Sequence, residues 1–132
     1  MNKYLLDTNI CIYVIKRKPI ELLSVFNEKA GQMAISSITL AELVHGVEKS
    51  QQQKNNRLIL EDFISHLAVL DYTAKAAQQY GIIRAELEQK GTPIGVNDLH
   101  IAGHAMSEGL VLVTNNEKEF GRVNGLKVEN WV

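Results

Sequence analysis

The chain has 132 residues, with 14 Lys plus Arg against 15 Asp plus Glu, a net charge of −1, and 45% hydrophobic residues. That length and balance suit one globular domain and exclude a disordered chain, a collagen-like repeat and a nucleic-acid binder driven by bulk positive charge. The single cysteine, Cys11, excludes an intramolecular disulfide and a cysteine-based zinc site. The first residues reach Asp7 before a secretory core could form, and no apolar run approaches the ~20 residues that span a bilayer, so a cytoplasmic chain without membrane contact is expected.

Short apolar runs alternate with longer amphipathic segments, the pattern of α/β packing. Tyr4-Leu5-Leu6 reads as a buried strand. Residues 10–15 form a helix, with Thr8 or Asn9 as its cap, Lys16-Arg17-Lys18 at its C-terminus and Pro19 as its stop. A second helix runs from Ile20 to about Lys29 and ends at Gly31. Met33–Ser36 is the next strand, followed by a helix from about Leu40 to Lys49. Residues 50–56 form a polar turn, and Leu60, Phe63, Ile64 and Leu67 mark one helical stripe. Residues 68–70 form a third strand. Thr73 caps a long helix that buries Ala76, Tyr80, Ile83 and Leu87 and stops at Gly91. The loop 91–96 leads into a helix starting near Asn97. Residues 110–113 form the clearest buried strand, then come a short helix over 117–120 and a last strand over 126–128. The fold class that follows is α/β, a mostly parallel five-stranded sheet with helices on both faces. In a parallel sheet, strand C-termini and helix N-termini meet at the edge where ligands bind.

Three carboxylates fall at that edge: Asp7 after the first strand, and Glu42 and Asp98 in first helical turns. Each has an ordinary explanation. Glu42 completes a capping box with Thr39, Asp98 complements a helix dipole, and Asp7 can accept from backbone amides. Together they are harder to explain, since two carboxylates at ~5 Å repel by about 3 kcal/mol at an effective dielectric near 20. A divalent cation removes that repulsion, and an oxygen-only donor set selects Mg²⁺, with Mn²⁺ as a substitute, over zinc. Such a metal is suited to phosphodiester hydrolysis, and the carboxylate count leaves one or two ions open.

Residues 5–9 (Leu-Leu-Asp-Thr-Asn), 35–43 around Thr39 and Glu42, 95–102 (Gly-Val-Asn-Asp-Leu-His-Ile-Ala), and 113–116 with Glu119-Phe120 resemble the PIN-domain ribonucleases, most closely the VapC toxins of VapBC toxin–antitoxin pairs. The resemblance spans the chain in order, down to Val128-Glu129-Asn130-Trp131. It implies a PIN-like fold with Mg²⁺-dependent endoribonuclease activity, and places Asp7, Glu42 and Asp98 at the metal-binding positions. Asp7 and Asp98 would hold the metal directly, and Glu42 directly or through water, with a role as base. Where many PIN domains carry a fourth acid, two residues after the position of Thr114, this chain has Asn116. Glu117 and Glu119 are both near enough in sequence to compensate. Thr8, Asn9, Ser37 and Thr114 are hydroxyl or amide neighbours of the cluster. The resemblance also implies a VapB-like antitoxin, a homodimer within a toxin–antitoxin hetero-oligomer, and RNA as substrate, with initiator tRNA and its anticodon stem-loop expected.

A polyanion needs positive groups around an acidic edge, and Lys16, Arg17, Lys18, Arg84, Lys90, Lys118 and Arg122 are available. The apolar surface of residues 10–15 exceeds what one helix face buries, which suits a helix sandwiched in the core, a groove for a partner's amphipathic segment, or a homodimer face. His100 and His104 lack the glutamate of a zinc-protease helix and read as surface or supporting residues, as does His45 after Glu42. The loop 91–95 lacks the ending of a phosphate-binding P-loop. Two other classes fit less well. A phospho-aspartate protein would want further acids beside Asp7, and a catalytically weak PIN-like binding module has only Asn116 in its favour.

Overall fold

The computed structural model describes residues 1–132. In chain order the elements are β1 (Tyr4–Leu6), α1 (Thr8–Lys16), α2 (Glu21–Glu28), β2 (Met33–Ser36), α3 (Ser37–Glu48), α4 (Gln53–Ile64), β3 (Ala68–Leu70), α5 (Ala74–Gln89), α6 (Val96–Glu108), β4 (Val111–Val113), α7 (Glu117–Phe120) and β5 (Val128–Glu129). The strands form one all-parallel sheet in the order β3-β2-β1-β4-β5. No helix is long and apolar enough to cross a membrane.

Strand alternation explains the two layers. Successive side chains leave a strand on opposite faces. Tyr4, Leu6, Met33, Ile35 and Val113 therefore join one core with Ile10, Val14, Leu22, Phe26, Leu43 and Phe63 of α1–α4. Leu5, Ala34 and Leu112 face the other way and join a second core with Ile83 and Leu87 of α5, Leu99 and Ala102 of α6, and Phe120 of α7. Both faces of the sheet are covered, which is why its strands read as continuous apolar runs.

The chain winds outward from β1 to β2 and β3, then returns to add β4 and β5 on the opposite side of β1. The winding direction reverses between β1 and β4. Ligands of open α/β sheets bind in the crevice beyond the strand C-termini at such a reversal. Asp7 and Thr114 are the residues that follow those two strands.

Several boundaries differ from the sequence reading, each for a local reason. Helix α1 starts at Thr8 because Asp7 itself is the cap, accepting the Ile10 amide at 2.9 Å. It ends at Arg17 in the left-handed region, φ 58, before Pro19 is reached. Helix α3 follows β2 without a linker because Ser36 caps it, accepting the Ile38 amide at 3.1 Å. Thr39 is thus inside the helix and fully buried, and no Thr39–Glu42 capping box forms. Helix α4 takes in Gln53–Asn56, leaving a shorter turn than expected, and it ends before Leu67. Strand β4 begins at Val111 and β5 covers Val128–Glu129.

Helices α5 and α6 pack as an antiparallel pair. A side chain on Gly103 would lie 2.9 Å from the Tyr80 amide nitrogen and 3.0 Å from the Ala76 carbonyl oxygen, so glycine lets the two backbones touch. Where they touch, the His100 ring stacks on Tyr80 with centroids 5.1 Å from Tyr72 and 4.2 Å from Tyr80.

Candidate active site

Asp7 is almost fully buried at the end of the central strand. One carboxylate oxygen caps α1, and the other accepts the Thr114 hydroxyl. Burial pushes its carboxyl up, and the hydrogen bonds from Thr114 and the Ile10 and Asn9 amides pull against that rise. The capping role does not exclude a functional one, since each oxygen has lone pairs to spare.

Asp98 stands in the first turn of α6, half-buried, with its carboxyl pushed up to about 6. Loss of water is the main cause, followed by the negative charges of Glu119 and Asp7, and the Glu119 carboxylate lies within hydrogen-bond contact of it. The structure thus brings Asp7, Asp98 and Glu119 into one electrostatic neighbourhood. Asn116 is part of it: its side-chain amide donates to Glu119 Oε2 at 2.9 Å, and its backbone amide donates to the Thr114 hydroxyl at 2.9 Å. Between the two acids left open by the sequence, Glu119 faces Asp98, whereas Glu117 accepts from the Asn130 side chain at 3.0 Å.

Glu42 lies in the second turn of α3, not the first, because the helix begins at Ser37. Its carboxylate accepts from the side-chain amide of Asn97, the residue before Asp98. No three Asp, Glu, His or Cys side chains converge closely enough to enclose an ion unaided. Thr8 donates to the buried Thr39 hydroxyl at 3.4 Å, Ser37 accepts the Tyr72 amide at 3.0 Å, and Asn9 is exposed beside the helix start.

The histidine reading needs correction. His104 is fully buried, with Nδ1 2.7 Å from the Ser36 hydroxyl and Nε2 without a partner. It fills the space between the end of β2 and α6, so it is a core group and not a surface one. His100 bonds the Tyr72 hydroxyl at 2.7 Å. Of the basic residues, Arg84 is engaged by Glu88 and the Tyr80 hydroxyl, and Arg122 donates to the Pro93 carbonyl at 3.2 Å. Lys16, Arg17, Lys18, Lys90 and Lys118 are exposed. Sequence reasoning missed Asn97 and Tyr72. The adjacency of Asn97 to Asp98 was the available signal for the first, and none pointed to the second.

The sheet order, the reversal between β1 and β4, and the acidic crevice at that reversal define a PIN domain, and the PIN family matches residues 4–126; the chain belongs to that family. The chain is 58% identical over 132 residues, all of both chains, to "Ribonuclease VapC2" of Haemophilus influenzae. It is 53% identical over 131 residues, 99% of both chains, to "tRNA(fMet)-specific endonuclease VapC" of Shigella flexneri. A solved structure of DNA-bound VapBC from Salmonella typhimurium superposes with a TM-score of 0.96, at 53% identity, over 100% of both chains. Within the PIN domains the chain is a VapC ribonuclease, the toxin of a VapBC toxin–antitoxin pair.

Proposed function

We propose that the crevice between β1 and β4 is the catalytic centre of a Mg²⁺-dependent endoribonuclease, formed by Asp7, Glu42 and Asp98 with Glu119 and Asn116 beside them. The observation that carries this reading is Asp98, a half-exposed carboxyl raised to about 6 by burial and by its acidic neighbours. Negative charge held together against repulsion, with oxygen donors only, fits a hard cation. Magnesium keeps several waters and uses one or two carboxylates, so it does not require a full protein cage.

A bound Mg²⁺ supplies a water of lowered pKa and neutralises charge on the reacting phosphate. Asp7, fixed by α1 and Thr114, offers the most rigid carboxylate. Asp98 provides the second in its ionised form, after losing to solvent the proton it holds below about pH 6. Glu42 receives the proton of the attacking water. Asn116 keeps Glu119 turned toward Asp98. Thr8 ties the start of α1 to Thr39 of α3, Ser37 ties the start of α3 to the Tyr72 amide, and Asn9 stays exposed beside them. Exposed Lys118 on α7 and Lys90 at the end of α5 attract the RNA backbone.

The name of the Shigella relative supports initiator tRNA as substrate. The Salmonella VapBC structure, bound to DNA, supports a VapB-like antitoxin as partner in a toxin–antitoxin hetero-oligomer, and a toxin homodimer within it is part of the same proposal. Two apolar grooves that share Ile15 and Ile59, of about 570 and 450 Å³, border α1 and suit an antitoxin's amphipathic segment. The whole chain acts as one domain, in the cytoplasm with its RNA. Cleavage of initiator and elongator tRNA by the full chain tests the proposal. Mg²⁺-dependent cutting of the initiator is expected, lost with EDTA and in Asp7→Asn. Equal cutting in EDTA overturns it.

A further inference from the structure

We infer that Asn97 is a positioning residue that holds Glu42 in place for metal binding, an inference that rests on the metal-dependent reading above. The N-terminus of α6 presents two consecutive side chains to two different parts of the site. Asp98 turns toward Asp7 and Glu119, and Asn97 turns toward α3, where its Nδ2 donates to Glu42 Oε1. The bond joins residues 55 apart in the chain. It is the side-chain link that ties Glu42 to the residue next to Asp98 while leaving its Oε2 without a protein donor.

Without that link the carboxylate has a better place to go. The groove that Glu42 helps to line also holds Lys16, a cation that would pair with a released carboxylate. Asn97 thus opposes a swing of Glu42 away from the ion. A neutral amide suits this task because it donates without adding charge, whereas a lysine there would neutralise the acid that the ion needs. Groups that bond to metal-ligating carboxylates typically change metal affinity 10–100-fold when removed. Asn97 is exposed, so the same bond contributes little to folding.

The test is Mn²⁺ binding to the full chain, read from the electron paramagnetic resonance of free Mn²⁺, with thermal unfolding in EDTA alongside. Asn97→Ala is expected to weaken Mn²⁺ binding about 10-fold with the melting temperature in EDTA unchanged. Glu42→Gln is expected to weaken it similarly, and adding Asn97→Ala to Glu42→Gln should change nothing further. Parent-like affinity in Asn97→Ala, or effects of the two substitutions that multiply, would overturn the inference while leaving the metal reading standing. Absence of Mn²⁺ binding by the parent chain would overturn both.

Discussion

Thr114 donates its hydroxyl hydrogen to Asp7 across 107 residues of sequence, and both residues are buried. The bond spans the β1–β4 reversal and fixes the one carboxylate that the fold cannot turn away. Burial raises the Asp7 carboxyl and this bond restrains the rise. Thr114→Val keeps the shape and removes the donor. A loss of about 1–3 kcal/mol is expected, the range for a buried acceptor left unmatched. RNA cleavage should fall at least tenfold, with the acidic limb of its pH profile displaced upward. Urea unfolding and cleavage rates from pH 5 to 8 measure both.

Asp98→Asn should separate stability from activity. A carboxyl whose folded pKa is raised favours the fold in its protonated form, so its stabilising effect is complete below about pH 3.8 and is lost as pH rises through about 6. At pH 7.5 the ionised group is a burden, about 1 kcal/mol once screening of a half-exposed site is allowed for. In EDTA the neutral amide should therefore raise the melting temperature by roughly 4 °C, while cleavage disappears. Mn²⁺ should raise the melting temperature of the parent and leave that of the variant unmoved. A less stable variant in EDTA would contradict the reading.

His104 makes the opposite pH prediction. Burial pushes its imidazole below the ordinary 6.5, so the folded chain holds it neutral. A depressed base stabilises fully above about pH 6.5, and that contribution is lost as pH falls below it. The groups facing the ring are Ser36, Tyr72 and Glu108, and Glu108 offsets part of the shift. Because Asp98 acts in the opposite sense over the same range, the comparison is between chains: from pH 7.5 to 5.5 His104→Gln should lose less, or gain more, stability than the parent. Chemical denaturation at four pH values is sufficient to compare them.

Gly103→Ala places a methyl group against backbone on α5, which cannot rotate aside as a side chain can. Separation of α5 from α6 should cost about 1–3 kcal/mol. It should also disturb the Tyr80–His100 stack, which near-ultraviolet circular dichroism reports.

The alternation of apolar runs and helical stripes made the layered sheet legible, because a strand covered on both faces has to be apolar throughout. The carboxylates were legible through the geometry of parallel sheets, which puts Asp7 and the first turn of α6 at one edge. Other features lay beyond the sequence. Thr39 looked like a cap because its spacing to Glu42 satisfies a capping box, but Ser36, the last residue of β2 and three residues earlier, takes the position first. The burial of His104 depends on how α6 rotates against β2, which no local pattern specifies. The choice of Glu119 over Glu117 follows from the orientation of one short turn, α7, where adjacent residues differ by about 100°.

The placement of β4 beside β1 also governs when the crevice comes into being. A ribosome makes Asp7 107 residues before it supplies Thr114, with Asn116 and Glu119 later still. Until then the first strand lacks the neighbour that completes its pocket, and an unfinished chain carries no assembled blade. The β1–β4 pocket therefore closes only after the strands on both sides of β1 have been made.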